Sequence, residues 1–135
     1  MLKFILYIIS LIKDPKTYKW AGVGLLALAG DYGLYNYLLG IIGMDLAKLC
    51  ATFVGVNISF NLNRIWTFKS NGTFFEDLKR YMALYLVAII VNVSVNNLAF
   101  RILEDIDLAY IAALFVSVII GYFGQRLWVF KNRKN

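Results

Sequence analysis

The chain has 135 residues, is 61% hydrophobic with a mean hydropathy of +0.67, and carries a formal net charge of +6. A soluble domain of this size has too little interior to hide so much apolar surface, so lipid is the expected solvent and an all-α integral membrane protein the expected class. One cysteine, Cys50, and no histidine exclude disulfide frameworks, Cys/His zinc sites and histidine-dependent triads.

The opening stretch, LKFILYIISLIK over residues 2–13, is apolar but too short to cross a bilayer. With Lys3 and Lys13 at its ends and no signal-cleavage pattern after it, it predicts an interfacial helix, setting residues 1–15 apart. Pro15 permits a turn into the first span. Four apolar segments come next: about Trp20 to Ile42, Leu46 to Leu62, Tyr81 to Phe100 and Leu108 to Val129. Each is close to the roughly 20 residues that span a hydrocarbon core. The single proline lies outside all four. The expectation is one membrane domain over 1–135, a four-helix bundle of two hairpins at 16–70 and 78–132. Cys50 reads as a small residue facing lipid or a helix. Between the hairpins, Asn71-Gly72 signals a turn, and Glu76 and Asp77 precede Lys79 and Arg80 as an amphipathic lead into the third span.

Charge sets orientation. Lys3, Lys13, Lys16 and Lys19 precede the first span; Arg64, Lys69, Lys79 and Arg80 lie between the second and third; Arg126, Lys131, Arg133 and Lys134 follow the fourth. Basic residues mark the cytoplasmic side, so both termini and the middle loop belong inside a multi-pass protein of the cell membrane. Topology and attraction to anionic membrane lipids account for most of the positive charge, which leaves no role for nucleic acid.

The chain repeats itself. DLAKLCATFVGVNISFNLNRIWTFK, from Asp45, and DLAYIAALFVSVIIGYFGQRLWVFK, from Asp107, are offset by 62 residues and identical at 12 of 25 positions. Shared hydrophobicity does not explain the coincident Asp, Arg, Trp and Lys. Two hairpins that each start and end inside are related by an axis along the membrane normal. The repeat therefore predicts two Arg-Trp corners, Arg64/Trp66/Phe68 and Arg126/Trp128/Phe130, at one cytoplasmic depth. Snorkelling alone does not require an arginine and two aromatics at fixed spacing twice. A guanidinium fork suits a phosphate, and an indole at headgroup depth offers a flat apolar face to a sugar ring or an isoprene unit. Together they describe a site for an anionic lipid phosphate, with Lys69 and Lys131 adding positive field.

Polar residues continue into the membrane. Asn57, Asn61 and Arg64 fall on one face of the second span, Asn92 and Asn96 on one face of the third, and Asp31 sits near the centre of the first. An ionised Asp there costs roughly 2.5–3.5 kcal/mol on insertion scales, so it should face the bundle, water or a partner. Asn92 and Asn96 fit a polar path and helix-joining hydrogen bonds equally well. Ser117, Gly121 and Gly124, and some of the six glycines from Gly22 to Gly43, read as close-packing stripes.

SFNLNRIWTF after the second span, its echo GQRLWVF after the fourth, and GVGLLALAGDYGLYNYLL around Asp31 resemble the GtrA-like family of small four-span membrane proteins, over about residues 17–132. The second copy departs from the first, with Ile119 for Asn57, Phe123 for Asn61 and Gln125 for Asn63. The resemblance implies a part in cell-surface polysaccharide or teichoic-acid glycosylation, by moving a polyprenyl-phosphate-linked sugar across the membrane or by acting beside a membrane-associated glycosyltransferase. On that expectation Arg64, Arg126, Lys69 and Lys131 hold the phosphate, and Trp66, Trp128, Phe68 and Phe130 pack the sugar or isoprenoid. Asn57, Asn61, Asn63, Gln125, Asp31, Asn92 and Asn96 line a polar translocation path, in a homodimer that gives the groove a second wall.

Two other readings compete: a non-transporting scaffold for a polyprenyl-phosphate glycosyltransferase, and a small proton-coupled cation exporter working through Asp31. An enzyme is not expected. No Gly-rich nucleotide loop or metal-binding carboxylate pair is evident, and Asp105 and Asp107 read as outer-loop solvation. No cofactor, metal or catalytic residue is predicted.

Overall fold

A computed structural model describes residues 2–132. The expectations placed on the Lys3 side chain and on Arg133 and Lys134 lie outside the described residues. The chain divides into two compact units between Lys69 and Ser70, each built around one helical hairpin.

The first unit begins with α1, Leu2–Lys13. Asp14 ends it in an extended conformation and accepts the Lys16 N–H at 2.8 Å, capping α2, Pro15–Ile42. Pro15 occupies the first helical turn, where its missing N–H costs nothing. The Thr17 hydroxyl donates to the Leu11 carbonyl at 2.6 Å, and Leu11 is buried, so the corner between α1 and α2 is fixed by both a bond and a packed side chain. A single residue, Gly43, connects α2 to α3, Met44–Leu62. Its φ of +82° is a conformation that side chains with a Cβ rarely adopt.

α3 runs back antiparallel along α2. The seam is made of small residues one turn apart: Ala47, Ala51 and Gly55 are buried, and a Cβ on Gly55 would lie 3.1 Å from the Ala27 carbonyl oxygen and 3.2 Å from the Asp31 Cβ. Small residues let two backbones approach this closely. The glycine-rich α2 contributes less than its composition predicts. An added Cβ would meet nothing within 4 Å at Gly22, Gly24, Gly33 or Gly40, whereas at Gly30 it would meet the Ile58 side chain.

In the second unit the chain turns before α4, Phe74–Leu103. The left-handed residue at this turn is Lys69, the last of the first unit, with φ 49°, and not Gly72 of the predicted Asn71-Gly72 turn. The turn is held from the side: the Gly72 N–H donates to Ser70 Oγ at 3.2 Å, and the Ser70 hydroxyl donates to Asp77 Oδ2 at 2.7 Å. Thr73 caps the helix by accepting from the Glu76 N–H, and Glu76 and Asp77 place negative charge in its first turn, where the helix dipole favours it. α4 ends at Glu104, which takes the left-handed C-cap conformation; Asp105 then caps α5, Ile106–Gly124, by accepting the Leu108 N–H at 2.9 Å. The seam repeats: Ala109 and Ala113 are buried as Ala47 and Ala51 are, and Ser117 stands where Gly55 does. Of the predicted Ser117/Gly121/Gly124 stripe, Gly124 lies directly beneath the Leu84 side chain.

Among the described residues, three stretches are long and apolar enough to cross a membrane unaided: Pro15–Ile42, Phe74–Leu103 and Ile106–Val129. The second predicted span is less apolar than the others because α3 carries Asp45, Lys48, Asn57 and Asn61. Side chains facing away from the seams, such as Leu25, Phe53, Ile90 and Phe115, are exposed, as lipid-facing residues of an all-α membrane protein are.

Candidate functional site

In both hairpins the final helix leaves α geometry at the repeated motif. Residues Asn63–Thr67 (NRIWT) and Gln125–Val129 (QRLWV) each form a π-helical turn. The closing bonds reach back five residues, from the Phe68 N–H to the Asn63 carbonyl and from the Phe130 N–H to the Gln125 carbonyl, both 2.9 Å. A π-turn holds an extra residue and so re-aims the side chains that come after it.

The same positions turn inward in each copy. Phe60, Asn63, Thr67 and Phe68 are buried in the first hairpin; Tyr122, Gln125, Val129 and Phe130 are buried in the second. Outward-facing positions match as well: Trp66 is 47% exposed and Trp128 46%, with Arg64 and Arg126 half-buried. Each corner thus offers an indole and part of a guanidinium while an amide and a phenyl ring anchor it from within. The buried amide oxygens, Asn63 Oδ1 and Gln125 Oε1, lack a protein hydrogen-bond partner, as does Thr67 Oγ1. A buried polar atom left so costs on the order of 1–3 kcal/mol, and here the cost recurs at one repeat position.

Each corner also holds a second cation. Lys19 Nζ stands 5.1 Å above the centre of the Trp66 ring, a cation–π contact. Arg80 donates from Nη1 to the Trp128 carbonyl at 3.3 Å. The arginines of the motif have different neighbours. Arg126 Nη1 donates to the Tyr122 hydroxyl, and its guanidinium lies 5.8 Å from that ring's centre. The equivalent of Tyr122 is Phe60, which has no hydroxyl to offer Arg64.

Along α3, Asn57 donates to the Phe53 carbonyl at 2.8 Å and Asn61 to the Asn57 carbonyl at 2.9 Å. Both line a shallow, mainly hydrocarbon groove of about 370 Å³ with Ile58 and Leu62. Asp31 lies elsewhere. Its carboxylate pairs with Lys48 Nζ at 2.9 and 3.2 Å, on the side of α3 that faces α2. Asn57 comes nine residues after Lys48, which places it about 180° around the helix. In the second unit, Asn92 Nδ2 donates to Ser117 Oγ at 2.8 Å, joining α4 to α5. Asn96 lines a groove of about 240 Å³ with Phe100, Ile106 and Ala109. Among the described residues no cluster of three or more Asp, Glu or Cys side chains could hold a metal ion.

The family model for the GtrA/DPMS transmembrane domain matches residues 19–134. The chain belongs to this family. No match was found among curated proteins.

Within this GtrA/DPMS domain the match takes in both π-turns and both hairpin seams and begins at Lys19, the residue over Trp66. The site residues expected from the sequence sort by position. Arg64, Trp66 and Lys69 share the end of the first hairpin, and Arg126, Trp128 and Lys131 the end of the second, with both lysines exposed. Phe68 and Phe130, expected beside the ligand, are 2% exposed and belong to the hairpin cores. Asn63 and Gln125 are buried under the corners and do not line an open path. Asp31 and the Asn57/Asn61 stripe occupy opposite sides of α3, so they do not form one path. Sequence reasoning missed Lys19 and Arg80 as members of the corners, treating Lys19 as a topology signal and Arg80 as that and as part of the amphipathic lead into the third span. An antiparallel hairpin brings the start of its first helix level with the end of its second, and that rule would have paired Lys19 with the Trp66 turn. It missed Lys48 as well.

Proposed function

We propose that this GtrA/DPMS domain binds a polyprenyl-phosphate-linked sugar by its anionic headgroup and moves it across the cell membrane, for glycosylation of cell-surface polysaccharide or teichoic acid. The observation that supports this most is the twofold construction of the corner: one Arg and one Trp, on one π-turn, with one inward-facing amide, in each of the two repeats. In each hairpin the arginine fork meets phosphate oxygens and the indole meets the sugar or the first isoprene unit. Lys69 and Lys131, with Lys19 and Arg80, strengthen the positive field. Asn57 and Asn61 offer amide groups to sugar hydroxyls along their groove, Asn96 lines a second one, and the polyprenyl tail stays in the bilayer. The distribution of basic residues favours a cytoplasmic location for both termini and the middle loop. A membrane-associated glycosyltransferase supplies the lipid-linked sugar, and a homodimer gives the groove its second wall. The domain binds and moves its ligand without catalysing a reaction.

The Asp31–Lys48 pair counts against a cation exporter, because an ammonium already occupies the carboxylate such a protein would use. The test is binding and leaflet exchange of a polyprenyl-phosphate sugar by protein reconstituted in vesicles. Arg64→Ala and Arg126→Ala should each weaken binding about tenfold, the loss expected for a charge-assisted hydrogen bond. Unchanged binding in both overturns the proposal. Binding without exchange, together with co-purification of an active transferase, points to the scaffold reading.

A further inference from the structure

The two hairpins share a polar contact halfway along their small-residue seams but build it from different chemistry. In the second, where Ser117 occupies the seam position of Gly55, the contact is the neutral Asn92–Ser117 bond of 2.8 Å. In the first, Asp31 lies against Gly55 and is paired with Lys48, whose repeat counterpart is the uncharged Tyr110. A neutral bond therefore suffices to hold such a hairpin together. Two charges within a membrane span are costly to keep, and structural need alone does not explain them.

The geometry of the pair differs from that of a closed salt bridge. The Lys48 side chain is 60% exposed while Asp31 is 20% exposed. Asp31 is held in the seam over Gly55, and the face of the Tyr35 ring lies 5.8 Å from Lys48 Nζ. The carboxylate and ring hold the ammonium from the helix side, and the Lys48 side chain as a whole stays largely exposed. Lys48 is 16 residues from Arg64 on the same α3–π path, about 24 Å at the helical rise. That separation is between backbones; the ammonium reaches Asp31 halfway along the seam, deeper in the membrane than the Arg-Trp corner.

We infer that Lys48 is a second, exchangeable phosphate-binding station: an anionic headgroup takes the ammonium from the Asp31 carboxylate, which competes for it and returns to it when the headgroup leaves. The ligand class is a phosphate monoester or diester, from a lipid headgroup or free in solution. As a step in lipid translocation, this rests on the reading of the corners as headgroup sites. The competing carboxylate keeps the station from trapping its ligand, a requirement of any site that must release what it binds.

The sign of the Asp31 effect tests the inference. Full-length protein in phosphatidylcholine nanodiscs is titrated with geranylgeranyl monophosphate, with geranylgeraniol and with inorganic phosphate. Lys48→Met should weaken binding of the monophosphate about tenfold. Asp31→Asn should tighten it by a similar factor, and the double variant should match Lys48→Met, since Asp31 acts only through Lys48. A pair that merely joins the helices predicts that both single variants leave affinity unchanged or lower it together, and that result overturns the inference. Acetylation of Lys48 in the unmodified protein needs no variant to fold. The monophosphate should slow it several-fold and the alcohol should not, while no protection by either phosphate also overturns the inference. Protection by inorganic phosphate as strong as by the lipid assigns the station to the free anion, and protection by the lipid alone to the headgroup. Arg64→Ala in the same titration separates the two proposals. If it weakens binding while the Asp31 and Lys48 variants do not, only the station fails. If the reverse holds, only the corner fails.

Discussion

Asn63 and Gln125 are small expenses that the fold makes twice. Each amide oxygen is buried and lacks a protein partner, and each lies at the first position of a π-turn. The Asn63 Nδ2 donates to Ser59 Oγ over a long 3.4 Å, and the neighbouring inward positions are filled by Phe60, Tyr122, Phe68 and Phe130. Removing an acceptor that has no partner relieves its desolvation cost, which offsets the loss of the long bond to Ser59. Asn63→Leu should therefore leave the thermal midpoint in detergent unchanged, or raise stability by about 1 kcal/mol. If the amide serves headgroup movement, leaflet exchange should fall in the same variant. A gain in stability with a loss of exchange is the pattern of a site that trades stability for function; a loss of both would show that the amide is structural.

At the scale of the helices, close approach at the first seam depends on Gly55 of α3 and Gly30 of α2, and not on most of the glycines of α2. Gly55→Ala forces the α2 backbone at Ala27 to yield, because the obstructing atom is a carbonyl oxygen at 3.1 Å. We expect a loss of about 1–3 kcal/mol, the range for overpacking. Gly22→Ala meets open space and should be neutral or stabilising by roughly 0.5–1 kcal/mol from helix propensity. Thermal unfolding of the two variants side by side measures the difference. This contrast also shows what could be read in the sequence. The helices, their hairpin pairing and the corner motif were legible because lipid demands long apolar runs and because the chain states the motif twice. Some of the α2 glycines are expected at a packing stripe and Gly30 is there, but composition could not say which, since it reports how many small residues a helix has and not which face meets its neighbour. The π-turns left no trace in periodicity, because one extra residue at a helix end does not disturb an apolar pattern. Nor could the sequence pair Asp31 with Lys48. That contact needs the register of α2 on α3, and the register is set by the sharp bend at Gly43.

For the whole molecule, the charge pattern implies a sidedness that labelling can check. Cys50 is exposed, so it is first replaced by Ala. An Asn71→Cys variant, in the exposed turn before α4, should then react with an impermeant maleimide only from the cytoplasmic side. An Asp107→Cys variant, near the start of α5, should react only from outside. Labelling of both from one side contradicts a complete crossing by α4, and labelling of each from the opposite side inverts the topology.

The bend at Gly43 is one residue long, and its counterpart between α4 and α5 consists of Glu104 and Asp105. In the proposed orientation these are all the chain that stands between helices on the outer surface. An antibody or a protease arriving from outside would find almost no purchase. If the domain delivers a lipid-linked sugar to that surface, as proposed, the enzyme that collects it must come down to the lipid itself.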